Sequence, residues 1–376
     1  VSSKMRIAIR ADASLQIGTG HIMRCLTLAR ALRERGHDCL FISREHPGNL
    51  LKLISEDGFA VHALPVGNEL DSELAHAQWL GASQAEDALS CKGLLVSWSP
   101  DWLVVDHYAL DYRWEVSVRP VGCRVLVIDD LADRQHSCEL LLDQNLGRSH
   151  LDYQDLLPQD CTVLAGPHYA LLRAEFAAVR ADSLARREEG LLSRVLIALG
   201  GVDQHNYTSK ILKALQGCKL ADGIRFTVVL GATAPHFQSV RELAKQCPWP
   251  VEVLSGINNM AQYMAAADLA IGAGGATSWE RCCLGVPTLL LVLAENQLPA
   301  SKQLARSRAA LMIEADGDLC AKLQRAFMLM SNSEALREHS SAARRITDGI
   351  GVERVLDAMS SISGSQLYSV GFCNEN

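Results

Sequence analysis

The stretch MRIAIRADASLQIGTGHIMRCLTLARALRERGHDCLFIS, residues 5–43, decides the fold class. Met5 to Ala11 is a short apolar run that predicts a strand, and His21 to Arg35 carries apolar residues at helical spacing. Gly36 closes that helix, and Asp38 to Ser43 is strand-like again. Strand, helix and strand in this order form a β-α-β unit, whose two strands run parallel. The pattern recurs. Strands are predicted at Ala60–Leu64, Trp102–Asp106, Arg124–Asp129 and Leu140–Asp143, with helical stretches such as Leu70–Leu89 between them. After a turn at Gly166-Pro167-His168-Tyr169, a long helix is expected over Ala170–Glu189. A second series follows, with strands at Arg194–Leu199, Phe226–Leu230, Val251–Leu254, Leu269–Ile271 and Thr288–Val292.

This alternation predicts two successive α/β domains, residues 1–170 and 190–315, each Rossmann-like and facing the other across a cleft. A helical C-terminal segment is expected over residues 316–361, with packing as its role, and the last dozen residues look frayed. A chain of 376 residues is long enough for two such cores.

The composition, 48% hydrophobic and 21% charged, is that of a folded protein rather than a disordered one. The net charge of -7 comes from intermixed acids and bases, so neither nucleic acid nor an anionic membrane is expected as a partner. The first apolar run is too short for a signal-peptide core or a membrane span, and a cytoplasmic location is expected. The twelve cysteines are scattered and never fall in a C-x-x-C spacing, so reduced buried thiols are expected and no metal site.

Chemistry is expected just after strands, where open parallel sheets bind their ligands. Gly18-Thr19-Gly20-His21-Ile22-Met23-Arg24 is a glycine-bearing turn between a strand and a helix, suited to an anion or polar ligand. Met23 stands where a dinucleotide fingerprint would have its third glycine, which disfavours a dinucleotide cofactor. In the first helical turn, the positive end of the helix dipole favours a neutral His21 ring that can act as a base. A structural hydrogen bond is the alternative reading of the same histidine. Asp12, after the strand, would orient the imidazole or a substrate hydroxyl, or else serve only as a turn residue.

A second glycine turn, Gly272-Ala273-Gly274-Gly275-Ala276-Thr277-Ser278-Trp279-Glu280, again joins a strand to a helix. Its small residues let backbone amides close around a phosphate, and Glu280 could accept both ribose hydroxyls or merely complement the helix dipole. Glu295, Asn296 and Gln297 follow a hydrophobic strand, where either a ligand is read or a loop is capped.

Taken together, strand-G-x-G-H-x-x-R followed by G-G-x-T-x-x-E and a polar loop resembles the GT-B nucleotide-sugar enzymes, including the MurG-type glycosyltransferases. Within that group, Arg10-Ala-Asp-Ala-Ser14, Val105-Asp-His-Tyr108, Leu142-Asp-Gln-Asn145, Gly166 to Arg173, Gly200-Gly-Val-Asp203 and Ala294-Glu-Asn-Gln297 are similar to a hydrolase family. These are the UDP-2,4-diacetamido-2,4,6-trideoxy-β-L-altropyranose hydrolases of pseudaminic acid biosynthesis, matched over about the first 310 residues. The resemblance implies hydrolysis without metal or cofactor, in which water attacks the anomeric carbon of a UDP-sugar and UDP leaves. His21 would be the catalytic histidine, within the Gly18, Gly20 and Arg24 motif. Gly274, Gly275, Thr277 and Glu280 would hold diphosphate and ribose, with Gly200, Gly201 and Asn258 to Met260 near the nucleotide. Asp12, Tyr108, Asn145 and Tyr169 would line the sugar side, and Arg173 closes the matching Gly166 to Arg173 segment. Two alternatives stay open: a glycosyltransferase of the same fold, in which His21 deprotonates an acceptor, and a non-catalytic nucleotide-sugar sensor.

Overall fold

The computed structural model describes residues 4–67 and 72–364. Its contacts divide the chain into two compact units, residues 1–171 with 351–376, and residues 172–350. The first unit opens with β1 (Arg6–Ala11), α1 (Gly20–Glu34), β2 (Asp38–Arg44), α2 (Leu51–Glu56) and β3 (Ala60–Leu64). It continues with α3 (Gln84–Trp98), β4 (Trp102–Asp106), α4 (Tyr112–Val118), β5 (Arg124–Ile128), β6 (Leu140–Asp143) and β7 (Thr162–Ala165). These strands form one parallel sheet of seven in the order β3-β2-β1-β4-β5-β6-β7.

Strands covered by helices on both faces must be apolar on both, and Ile7, Ala8, Ile9 and Ala11 of β1 are all fully buried. Ile7 and Ile9 pack with Ile22 and Leu26 of α1, whereas Ala8 packs on the other face with Ile42, Leu103 and Val105.

The second unit runs α5 (Ala174–Arg186), β8 (Arg194–Ala198), α6 (Tyr207–Leu215), β9 (Arg225–Leu230), α7 (Phe237–Ala244), β10 (Val251–Ser255) and α8 (Met260–Ala266). There follow β11 (Leu269–Ala273), α9 (Thr277–Cys283), β12 (Thr288–Val292), α10 (Leu298–Arg306), β13 (Leu311–Glu314), α11 (Leu319–Met330) and α12 (Ser333–Ala343). Its six parallel strands are ordered β10-β9-β8-β11-β12-β13, and Ile197, Val228, Ile271 and Leu289 share its core.

Several expectations need correction. The helix expected over Leu70–Leu89 is displaced: α3 starts after Ser83, whose hydroxyl accepts from Glu86 N, and Leu70 and Asp71 lie outside the described residues. Left-handed Gly81 (φ 68°) ends a single helical turn over Ala77–Leu80 and keeps it apart from α3. The helix expected from Ala170 starts only at Ala174, because Arg173 is still extended (φ -60°, ψ 140°). Strands β7 and β13 and helices α2 and α4 were not predicted.

The C-terminal helical stretch is also not one segment. α11 and α12 belong to the second unit, while left-handed Gly349 (φ 90°) precedes α13 (Gly351–Gly364), which belongs to the first. Val352, Val355, Leu356 and Met359 of α13 pack into the same core as Ile7 and Leu26. The expected frayed end, residues 365–376, lies outside the described residues.

Candidate functional site at the carboxyl ends of the strands

In the order β3-β2-β1-β4, the chain leaves β1 toward one side of the sheet and β4 toward the other. The carboxyl ends of such neighbours diverge and open a crevice. Ala11, the last residue of β1, lies opposite Asp106, the last of β4. The turn after β1 is shaped by Gly18, whose φ of 79° suits glycine and whose N–H donates to Ser14 O at 2.9 Å. α1 then begins at Gly20, which puts His21 in its first turn.

His21 is 8% exposed, and its Nδ1 lies 2.6 Å from Asp106 Oδ1. Arg24, one turn further along α1, donates from Nε to Asp106 Oδ2 and from Nη2 to Oδ1, both at 2.6 Å. Burial opposes ionisation of Asp106, but Arg24 and then His21 outweigh it and hold the carboxyl well below the usual range. An ionised Asp106 has no proton to give, so the Nδ1 proton is on the imidazole. The 3.3 Å approach of Arg24 Nη2 to that nitrogen is then not a hydrogen bond. With Nδ1 committed, the neutral ring carries its lone pair on Nε2, which has no hydrogen-bond partner among the described residues.

The orienting role expected of Asp12 thus falls to Asp106. Asp12 is fully buried and takes two bonds from Arg10, at 2.6 and 2.9 Å, and one from Arg44 N at 2.7 Å. Burial disfavours its charge, but Arg10, His107 and His46 hold it well below the usual range. It braces the base of the site rather than facing His21. Asp106 was within the Val105-Asp-His-Tyr108 segment already singled out; its position at a strand end beside β1 was the available signal.

Tyr108 lies edge-on to His21, ring centroids 4.7 Å apart, and its hydroxyl donates to Asp130 Oδ2 at 2.7 Å. The same oxygen accepts from Arg24 Nη1 at 2.7 Å, so Asp106, Asp130, Arg24, His21 and Tyr108 form one network. Asp130 follows β5 and was not predicted. Asn145 sits at its edge, donating from Nδ2 to Asp130 O at 3.1 Å, while its own N–H donates to Asp143 Oδ1 at 2.8 Å. Tyr169 packs half-buried against the core that holds Ile22 and does not join this network.

In the second unit the equivalent divergence lies between β8 and β11. Gly200 and Gly201 follow β8, and Gly274 and Gly275 follow β11. Gly275 adopts φ 112° with open space where a Cβ would stand, whereas a Cβ on Gly274 would meet Gln297 Cβ at 2.9 Å. Glu280, in the first turn of α9, lies 3.6 Å from Arg173 Nη2, and burial pushes its carboxyl up despite that arginine. Arg173 thus stands beside the carboxylate expected to read ribose.

Behind this turn lies buried Arg281, which sequence reasoning missed. It donates to Ala273 O at 2.7 Å, Ser278 Oγ at 3.1 Å and Thr277 Oγ1 at 3.2 Å, tying the end of β11 to α9. Burial lowers its pKa to about 10. Asn258 is exposed and Met260 half-buried at the start of α8, after β10. Gln297 accepts from Leu293 N at 3.0 Å and so caps its own loop, Glu295 is exposed, and the Asn296 side chain lies outside the described residues. A cavity of about 400 Å³ opens at the amino ends of β8, β9 and β10, lined by Arg194, Arg225 and Tyr263, at the opposite end of the strands from these motifs. Among the described residues no helix is long and apolar enough to cross a membrane.

Comparison with known proteins follows the same division. Residues 195–352 match the glycosyltransferase family 28 C-terminal domain. An uncharacterised protein of Methanocaldococcus jannaschii is 27% identical over 298 residues, 78% of this chain and 56% of that protein. The spore coat polysaccharide biosynthesis protein SpsG of Bacillus subtilis is 30% identical over 198 residues, 51% of this chain and 56% of that protein. The chain therefore spans just over half the length of these two relatives. The UDP-2,4-diacetamido-2,4,6-trideoxy-β-L-altropyranose hydrolase of Campylobacter jejuni is 25% identical over 242 residues, 64% of this chain and 75% of that enzyme. The similarity read from the motifs is thus found over a long alignment. Among solved structures, MurG of Acinetobacter baumannii superposes with a TM-score of 0.68 at 16% identity, covering 96% of this chain and 100% of that one. The fold is GT-B.

Proposed function

We propose that the chain is an enzyme of nucleotide-sugar chemistry that hydrolyses a UDP-sugar, with UDP-2,4-diacetamido-2,4,6-trideoxy-β-L-altropyranose as its substrate. The observation that carries the reading is the His21 and Asp106 pair: a buried imidazole with Nδ1 committed to an ionised carboxylate and Nε2 left without a partner among the described residues. That is the arrangement a general base requires. In the reaction, His21 Nε2 takes a proton from water as its oxygen bonds to the anomeric carbon. The bond from that carbon to the diphosphate oxygen breaks, and its electron pair leaves with UDP. The first unit supplies the base. In the second, Gly274, Gly275 and Thr277 would face the diphosphate and Glu280 the ribose, so that the developing negative charge meets backbone amides and a hydroxyl, with Arg281 bracing the turn from behind.

The likeness to the C. jejuni hydrolase supports this substrate class, and the order of the two glycine turns supports the assignment of roles. No metal or cofactor is called for in this reading, and the protein works away from membranes and nucleic acid, in the cytoplasm. A second reading, a glycosyltransferase, is favoured by the family 28 match over residues 195–352. There His21 would deprotonate a sugar hydroxyl instead of water.

The test is an NMR time course with the UDP-diacetamido sugar and no acceptor. UDP and free sugar should form, and His21→Ala should lose about 10²–10⁴-fold of the rate while still binding UDP. Full activity of that variant removes His21 from the mechanism. Negligible UDP formation by the unaltered protein, restored by an added acceptor, makes it a transferase.

A further inference from the structure

The proton transfer described above leaves three rings beside His21 unused. The helical turn Ala77–Leu80 is anchored by buried Ala77 and Leu80 and closed by Gly81, where a Cβ would strike His46 at 2.6 Å. That close approach fixes the turn against the body of the unit and leaves Trp79 half-buried. Trp79 stacks on Tyr108 with centroids 5.8 Å apart and planes 24° apart, and His76 lies 4.4 Å from Trp79 and 5.4 Å from Tyr108. Tyr108 in turn meets the edge of His21 at 4.7 Å, and its hydroxyl is pinned by Asp130. A continuous aromatic surface therefore runs from the catalytic imidazole outward through Tyr108 to Trp79 and His76.

The Trp79, His76 and Tyr108 rings carry no charge at neutral pH. Burial lowers the His76 imidazole, the acidic Asp133 notwithstanding, and burial followed by Asp130 raises the Tyr108 phenol. A sugar face rich in hydroxyls would lose water hydrogen bonds against such rings without replacement, whereas C–H and methyl groups lose nothing and gain contact. The Trp79 side-chain N–H has no partner among the described residues and is a donor for an amide oxygen.

We propose that Trp79, His76 and Tyr108 form a wall of the sugar subsite that selects a hydroxyl-poor, N-acylated deoxy pyranose over a fully hydroxylated one. The inference rests on the nucleotide-sugar reading above and assigns Trp79 and His76 to substrate discrimination.

Binding is measured by calorimetry in a His21→Ala background, where substrate stays intact, with three ligands: the UDP-diacetamido-trideoxy sugar, UDP-glucose and UDP. Adding Trp79→Ala should weaken the deoxy sugar nucleotide about tenfold, while changing UDP and UDP-glucose by less than about twofold. Trp79→Phe, which keeps a ring and safeguards the fold, should recover most of the loss. Equal affinities with and without the Trp79 ring, or equal losses for all three ligands, overturn the wall. Failure of the hydrolase reading is seen separately, as absence of UDP release by the protein with His21 intact. In that event the affinity ratios still decide the wall.

Discussion

Asp106 and Asp143 are both buried carboxylates of the first sheet, yet their surroundings push them in opposite directions. Asp106 is held low by Arg24 and His21 against its own burial. Its stabilising effect is present above the unfolded value of about 4 and is lost as pH falls from there toward the folded value. Asp106→Asn should therefore be less stable than the parent at pH 7, with the gap in urea unfolding shrinking below about pH 4. The same change removes the charge that fixes the His21 tautomer, so kcat should fall about 100-fold with UDP affinity unchanged.

Asp143 accepts from Asn145 N at 2.8 Å and pairs with Arg148 Nε at 3.2 Å, but these partners do not offset its burial. The single hydroxyl hydrogen of Tyr153 lies between Asp143 Oδ2 at 2.9 Å and Asp129 Oδ2 at 3.0 Å, and can serve only one of them. Burial, and then the charge of Asp130, push Asp143 up to about 7. A raised acid costs stability progressively as pH rises from about 4 to about 7, and the cost is full above that. Asp143→Asn should therefore gain on the order of 1–2 kcal/mol at pH 8 and nothing at pH 4, as read by thermal unfolding at the two pH values.

At the scale of elements, the two glycine turns were legible because strand, glycines and helix are local features of the chain. Gly275 shows what the turn demands: its φ of 112° is open in space but strained for any L side chain. Gly275→Ala should cost about 1–2 kcal/mol of stability and weaken UDP binding measurably by calorimetry. Strands with buried hydrophobic runs, such as Trp102–Asp106 and Thr288–Val292, were also legible to the residue. Thr162–Ala165 and Leu311–Glu314 were not, being short strands of four residues at sheet edges, where half-exposed positions interrupt the apolar run.

The partner of His21 was misread for a different reason. Asp12 is nine residues from it in sequence and Asp106 eighty-five, but strand order places β4 beside β1, and the nearer aspartate is consumed by Arg10. Arg281 and Trp79 were missed likewise, because their role comes from what surrounds them and not from any pattern around them.

At the scale of the molecule, each unit has its own parallel sheet and core, and the first is completed by a helix distant in sequence. α13 contributes Val355, Leu356 and Met359, each 2% exposed or less, to the core containing Ile7. Leu356→Ala should cost about 2–5 kcal/mol and lower the melting of the first unit, while UDP affinity, assigned to the second, stays within about twofold. Scanning calorimetry with and without UDP separates the two effects. A single transition at the parent temperature would count against an independent contribution from α13.

The placement of α13 also orders events during synthesis. The second unit has its whole stretch, residues 172–350, outside the ribosome before the first can be finished, since the first needs residues 351–364 to close over α1. Of the two units, the one whose strands are made first is therefore the last to become complete. Until then its sheet has an uncovered apolar face, and a chain truncated and released after residue 350 should be cut by protease within residues 4–171 while residues 172–350 resist.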